Sequence, residues 1–73
     1  GFDPQLRELT FAIVDSAFGQ RRKTLRTALG SVLGSPQEVE SILQDAGVDS
    51  GLRGEQLSLQ DFVAIAKQAR KVI

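Results

Sequence analysis

The sequence contains no cysteine and no histidine. Without cysteine there is no disulfide framework, no thiolate nucleophile and no thiolate metal site. Without histidine the commonest general base and the commonest metal ligand are gone. No apolar run approaches the roughly 18 residues of a membrane-spanning helix, and no signal-peptide pattern opens the chain. No membrane partner is therefore expected, and the lack of cysteine suits a cytoplasmic protein without proving one. There is no G-x-x-x-x-G-K phosphate loop and no G-x-G-x-x-G turn behind a strand. No segment sustains the period-two alternation of a half-buried strand. With these groups missing, no nucleophile–base constellation can be assembled. The isolated chain is expected to catalyse nothing and to hold neither metal nor cofactor.

What remains is small. The 73 residues make one domain at most, residues 1–73, and a domain near this size buries only about 60% of its unfolded surface. Gly1 reads as a cloning remnant, the chain as a piece of a longer one, and a monomer is expected. Nine basic and nine acidic residues cancel to a net charge of zero, which ordinarily argues against nucleic acid. The charges are segregated, however. Residues 1–19 carry −2, residues 20–34 +4, residues 35–66 −5 and residues 67–73 +3. A basic patch acts through its local field rather than the chain total. Four cations, Arg21, Arg22, Lys23 and Arg26, fall within six residues. Chance and solvated helix faces would leave a similar segregation, so it does not decide the matter alone.

The apolar spacing predicts an all-α protein, a small bundle of four main helices with short turns between them. Asp3-Pro4 is a helix start, and Leu6, Leu9, Ile13 and Ala17 recur at helical spacing, flanked by Val14 and Phe18. Gly19 is expected to stop this helix in a left-handed conformation. Leu25, Ala28, Leu29, Val32 and Leu33 form the cleanest amphipathic pattern, with Thr24 as N-cap and Gly34 as terminator. Ser35-Pro36-Gln37-Glu38 resembles a capping box, and Val39, Ile42, Leu43 and Ala46 make the third stripe. Gly47 and Val48 stand where a Schellman turn wants a glycine and an apolar contact. Residues 49–57 read as a loop. Ser58 to Asp61 then opens the last helix, with Leu57 stapled onto Phe62 and an apolar row of Leu59, Phe62, Ala66 and Ala69.

Asp45, Asp49, Glu55 and Asp61 invite a calcium-loop reading, which fails. A twelve-residue loop from Asp49 puts Gly51, Arg53 and Gln60 where carboxylate or other oxygen ligands are needed, and a start at Asp45 puts Gln56 in place of the bidentate glutamate. Helix caps and a solvated acidic face account for these residues. The basic turn is the better candidate. Arginine can grip two phosphate oxygens and lysine acts as a point charge, and a helix N-terminus adds free N–H groups that also favour phosphate. The same side chains could instead be an ordinary solvated turn, or one could pair with the acidic segment 38–55. Phe18 is the only aromatic near the charges and the helix pattern assigns it to the core, so shape and backbone recognition of a folded duplex fits better than stacking on single-stranded bases.

Ala17-Phe18-Gly19-Gln20-Arg21-Arg22-Lys23-Thr24-Leu25-Arg26, followed by Ala28-Leu29, resembles the A-F-x-Q-R-R-K-T-[LI]-R signature of the small-subunit (16S) rRNA adenine N6,N6-dimethyltransferases. Ala46-Gly47-Val48-Asp49, then Leu52-Arg53-Gly54-Glu55-Gln56-Leu57-Ser58, is similar to that family's G-I-D-P…R-x-E-x-L-S segment. The likeness covers roughly residues 10–66, with Ser50 standing where proline is common. It implies that the chain is the C-terminal helical domain of a larger enzyme. There, a Rossmann-type domain binds S-adenosylmethionine and transfers the methyl groups, and the helical domain helps dock the enzyme on the small ribosomal subunit. The glycine-rich cofactor motif and the N-[LI]-P-[YF] catalytic motif have no counterpart here, so no catalytic or cofactor residue carries over. Arg21, Arg22, Lys23 and Arg53 carry over as rRNA contacts. Arg26 joins them with its direction open, toward solvent or toward the missing domain. The intact 21–24 run argues against the related antibiotic-resistance methyltransferases.

A rival reading makes the chain a small helical adaptor that binds another protein through the acidic 38–61 region. Its affinity would change little with salt, whereas RNA binding falls steeply. A third reading blends the two: exposed apolar residues such as Phe2, Phe11 or Ile73 would mark the surface once covered by the catalytic domain.

Overall fold

The computed structural model describes residues 4–20 and 22–72. Gly1, Phe2, Asp3, Arg21 and Ile73 lie outside the described residues, and so do the expectations placed on them. The described residues are helical, with no strand. In chain order the elements are α1 (Pro4–Gly19), α2 (Leu25–Ala28), α3 (Gly30–Leu33), α4 (Pro36–Asp45), a 3₁₀ turn (Gly54–Gln56) and α5 (Leu59–Val72). The two longest helices, α1 and α5, pack on each other, α4 lies against α5 and α2, and the 3₁₀ turn rests on α1.

Local chemistry explains most of the boundaries. Ser35 caps α4 by accepting from the Glu38 N–H at 3.3 Å, with Pro36 in the first helical position. At the other end the Val48 N–H reaches the Leu43 carbonyl at 2.8 Å and the Gly47 N–H reaches that of Gln44 at 3.0 Å. This is the expected Schellman pair. Gly47 takes the left-handed φ of 75° and Val48 is buried. Helix α5 opens with a reciprocal capping box: the Ser58 N–H donates to the Asp61 carboxylate at 3.0 Å, and the Asp61 N–H to the Ser58 hydroxyl at 3.3 Å.

The expected second helix, 25–33, is divided in two at Leu29. An unbroken helix would give the Ala28 carbonyl to the Val32 N–H. Instead the Ser16 hydroxyl of α1 donates to that carbonyl at 2.5 Å, and the Val32 N–H turns to Leu29 O at 3.1 Å. Gly30, a weak helix former, makes the break inexpensive. The apolar stripe survives it, since Leu25, Ala28, Leu29 and Leu33 are all buried.

The core joins Leu6, Ile13 and Ala17 of α1 to Leu25, Leu29, Leu33, Val39, Ile42, Leu43, Phe62, Ile65, Ala66 and Ala69. Burial of each large aliphatic side chain contributes about 1.5–3 kcal/mol. Thr10, absent from the expected stripe, is buried as well, and its hydroxyl is satisfied by the Leu6 carbonyl at 2.7 Å. Two residues depart from the expected core. Leu59, the first residue of α5, is 70% exposed, because the helix begins there with no described element covering that turn. Phe18 is 46% exposed. Its place in α1 lies at the edge of the buried stripe rather than within it. Nor is Gly19 a left-handed stop: α1 runs through it, and positive φ among the described residues belongs to Gly34 and Gly47.

Candidate nucleic-acid interface

The basic turn leaves α1 at Gly19 and enters α2 at Leu25. The Gln20 N–H still bonds back to the Ser16 carbonyl at 3.3 Å, and the Gln20 carbonyl accepts from the Lys23 N–H at 2.9 Å. These two bonds tighten the backbone after α1 into a turn. Arg22 and Lys23 are exposed and make no ion pair among the described residues. With Gly19 and Gln20 they line an open hollow of about 290 Å³.

Thr24 occupies the N-cap position of α2 in extended conformation, but its side chain caps nothing. The loop 49–57 does the capping. The Leu25 N–H donates to the Leu52 carbonyl at 2.8 Å and the Arg26 N–H to the Ser50 carbonyl at 3.3 Å. These bonds correct one expectation: the first N–H groups of α2 are occupied by the protein itself and do not add to an anion site. The same bonds have a second effect. They bring the segment carrying Arg53 beside the segment carrying Arg22 and Lys23, although the two lie about 30 residues apart.

The loop is seated from below by glycine. Gly54 is buried, and a Cβ placed on it would lie 2.9 Å from the Ala17 Cβ and 3.3 Å from the Ala17 carbonyl carbon and oxygen. Only a residue without a side chain lets the loop approach α1 so closely. The Arg53 N–H is held by the Gln56 side-chain oxygen at 2.9 Å, while the Asp49 carboxylate takes the Gly51 N–H at 2.8 Å. Arg53 itself is exposed, with no ion pair among the described residues.

Arg26 behaves differently. Its Nε lies 3.5 Å from the Glu40 carboxylate of α4, each side chain about half exposed. It is therefore tied to the acidic segment. Arg21 lies outside the described residues.

The arrangement so built is an open surface that carries exposed cations on two neighbouring segments of the chain. Such a surface can neutralise phosphates of a polyanion. Among the described residues no group of histidine, cysteine, aspartate or glutamate could hold a metal. They do not fit S-adenosylmethionine either. The described residues hold no strand end followed by a glycine turn, and three surface hollows among them are open and lined mainly by glutamine, glutamate, lysine and arginine.

Comparison with known proteins supplies the context. The chain is 58% identical over 60 residues to the ribosomal RNA small subunit methyltransferase A of Kineococcus radiotolerans, a match covering 82% of this chain and 20% of that protein. Against the protein of the same name from Leifsonia xyli subsp. xyli it is 55% identical over 64 residues, 88% of this chain and 23% of the relative. The Thermobifida fusca protein matches at 56% over 61 residues, with 84% and 21% covered. The chain belongs to the ribosomal RNA small subunit methyltransferase A family. It corresponds to the C-terminal portion of these proteins and spans about a fifth to a quarter of their length. No protein-family model matches the chain, and no solved structure does. Within the family the match takes in both the basic turn and the 46–58 segment that the fold ties together. No helix among the described residues is long and apolar enough to cross a membrane.

Proposed function

We propose that this chain is the rRNA-docking module of an S-adenosylmethionine-dependent 16S rRNA adenine dimethyltransferase. It acts as a monomeric unit in cytoplasmic maturation of the small ribosomal subunit. Arg22, Lys23 and Arg53, with Arg21 joining them by sequence, grip phosphates of folded rRNA and hold the enzyme in register. Methyl transfer and cofactor binding belong to the remainder of the parent protein, the module's other partner. Arg26 contributes to the local field, but its side chain is already engaged by Glu40.

One observation carries the reading. The backbone bonds from Leu25 and Arg26 to Leu52 and Ser50 bring two cationic segments, distant in sequence, beside each other. A fold that needed these residues only for solubility would have no reason to gather them. The test is binding to purified small ribosomal subunits at low and moderate salt, beside Arg22→Glu/Lys23→Glu. Binding that falls steeply with salt and is lost in the double variant supports the proposal. Equal binding by both forms, or binding indifferent to salt, assigns docking to an uncharged surface or to the rest of the parent and overturns it.

A further inference from the structure

The positive charge near the end of α5 is a feature that the docking reading leaves unused. Residues 67–73 carry three cations and no acid. Lys67, Arg70 and Lys71 are exposed. With Gln68 they line an open hollow of about 420 Å³ that has no carboxylate in its described lining. The one acid of α5, Asp61, lies at its start and is held in the capping box with Ser58. Lys67 and Lys71 make no ion pair among the described residues. Arg70 is set aside, because Glu8 of α1 lines a second hollow with it and offsets its charge.

Ordinary helix chemistry accounts for only part of this pattern. The helix dipole favours cations in the last turn, which covers Arg70 and Lys71. Lys67 lies a turn earlier, and a second lysine four residues on sets like charges on one face, which works against a helix. Nor do the lysines extend the basic turn. Helices α1 and α5 run antiparallel: Phe62, near the start of α5, meets Phe18 in the last turn of α1 with ring centroids 6.1 Å apart, while Arg70 shares its hollow with Gln5, Glu8 and Leu9. At about 1.5 Å per residue, Lys71 stands about 13 Å along α5 from Phe62, whereas the basic turn follows Phe18 directly.

We infer that Lys67 and Lys71 form a second phosphate contact, holding the backbone of the same 16S rRNA at a point away from the basic turn, an inference that rests on the function proposed above. A nucleic-acid backbone presents phosphates in close succession, so both lysines can be neutralised together. A protein partner fits less well, since lysine is depleted from protein interfaces and their affinity resides in buried aromatic and arginine anchors. Two separated backbone contacts also fix the orientation of the module on the RNA, as phosphate contacts generally do.

The experiment measures binding of the chain to purified small ribosomal subunits between about 50 and 200 mM salt. It compares the unaltered chain with Lys67→Gln/Lys71→Gln, Lys67→Arg/Lys71→Arg and Arg22→Glu/Lys23→Glu. Each phosphate contact contributes about 0.9 to the logarithmic salt slope, so the glutamine variant should show a slope about two units shallower. Over that range the unaltered chain should lose about tenfold more affinity than the glutamine variant. The arginine variant keeps the charge and should keep the slope, and the same differences should appear with protein-free 16S rRNA. An unchanged slope in the glutamine variant, while Arg22→Glu/Lys23→Glu weakens binding, overturns the inference and leaves the docking reading standing. A slope reduced on whole subunits but not on protein-free rRNA assigns the lysines to a ribosomal protein and also overturns it. Weaker binding in the glutamine variant alone supports this contact and removes the basic turn from the docking reading. Failure of the unaltered chain to bind overturns both.

Discussion

Replacing Gly54 by alanine should loosen the seat of the 49–57 loop on α1, and the size of the effect can be worked from the contact. The new methyl would stand 2.9 Å from the Ala17 Cβ and 3.3 Å from the Ala17 carbonyl group. The first distance is shorter than carbon atoms tolerate, and the obstacles belong to a helix backbone and its Cβ, which cannot swing aside. Overpacking of this kind costs about 1–3 kcal/mol. Against it stands a gain of about 0.4–1 kcal/mol, because alanine restricts the unfolded chain and the φ of Gly54 is not left-handed. The two leave a net loss of between about 0 and 2.6 kcal/mol, with a middle value of about 1.3 kcal/mol that lowers the thermal midpoint of a domain of this size by about 5–10 °C. The assay is thermal unfolding followed by circular dichroism. A control isolates the contact. Ala17→Gly alone should destabilise through helix propensity, by about 1 kcal/mol. Combined with Gly54→Ala, it removes the 2.9 Å clash, so the double variant should lose less than the sum by at least about 0.5 kcal/mol. A midpoint above that of the parent for Gly54→Ala, or strict additivity in the double variant, refutes the close-approach argument.

Two smaller perturbations probe other joints. Gly47→Ala places a side chain at φ 75° with open space around it, so the penalty is backbone strain alone. The expected loss is about 1–2 kcal/mol, read as a lower urea midpoint with an unchanged slope; a changed slope would instead indict the unfolded state. The half-exposed Arg26–Glu40 pair should couple by about 0.5 kcal/mol or less in a double-alanine cycle, and the coupling should vanish as salt rises. A coupling above about 1 kcal/mol that persists in salt would show the pair to be more than a screened surface contact.

How much of this was legible in the sequence depends on how far each cause lies from its effect. The caps at Ser35 and Ser58 and the Schellman turn at Gly47 are written within five residues of where they act, and they were readable as such. The division of residues 25–33 at Leu29 was not. Its cause is the Ser16 hydroxyl, which takes a carbonyl twelve residues away, and the periodicity of the stripe is blind to it. The capping of α2 failed for the same reason: Thr24 is a plausible local cap, but Leu52 and Ser50 arrive first from across the fold. Phe18 and Leu59 sit at the margin of otherwise correct apolar rows, where a helical wheel cannot say whether a neighbour covers the edge. In the candidate site, the cationic residues were evident from composition, but their gathering and the pairing of Arg26 with Glu40 were matters of tertiary contact.

The bonds from Leu25 and Arg26 to the carbonyls of Leu52 and Ser50 also bear on portability. A four-residue helix such as α2 has no stability of its own, since nucleation is unfavourable and too few turns follow to offset it. Its N-terminal end is finished by a loop that the chain supplies only after α4 has been crossed. A synthetic peptide spanning the basic run alone would keep every charge and lose the shape that presents them. Anyone grafting this recognition element onto another scaffold must therefore transplant two discontinuous strips together, the turn and the loop that caps it.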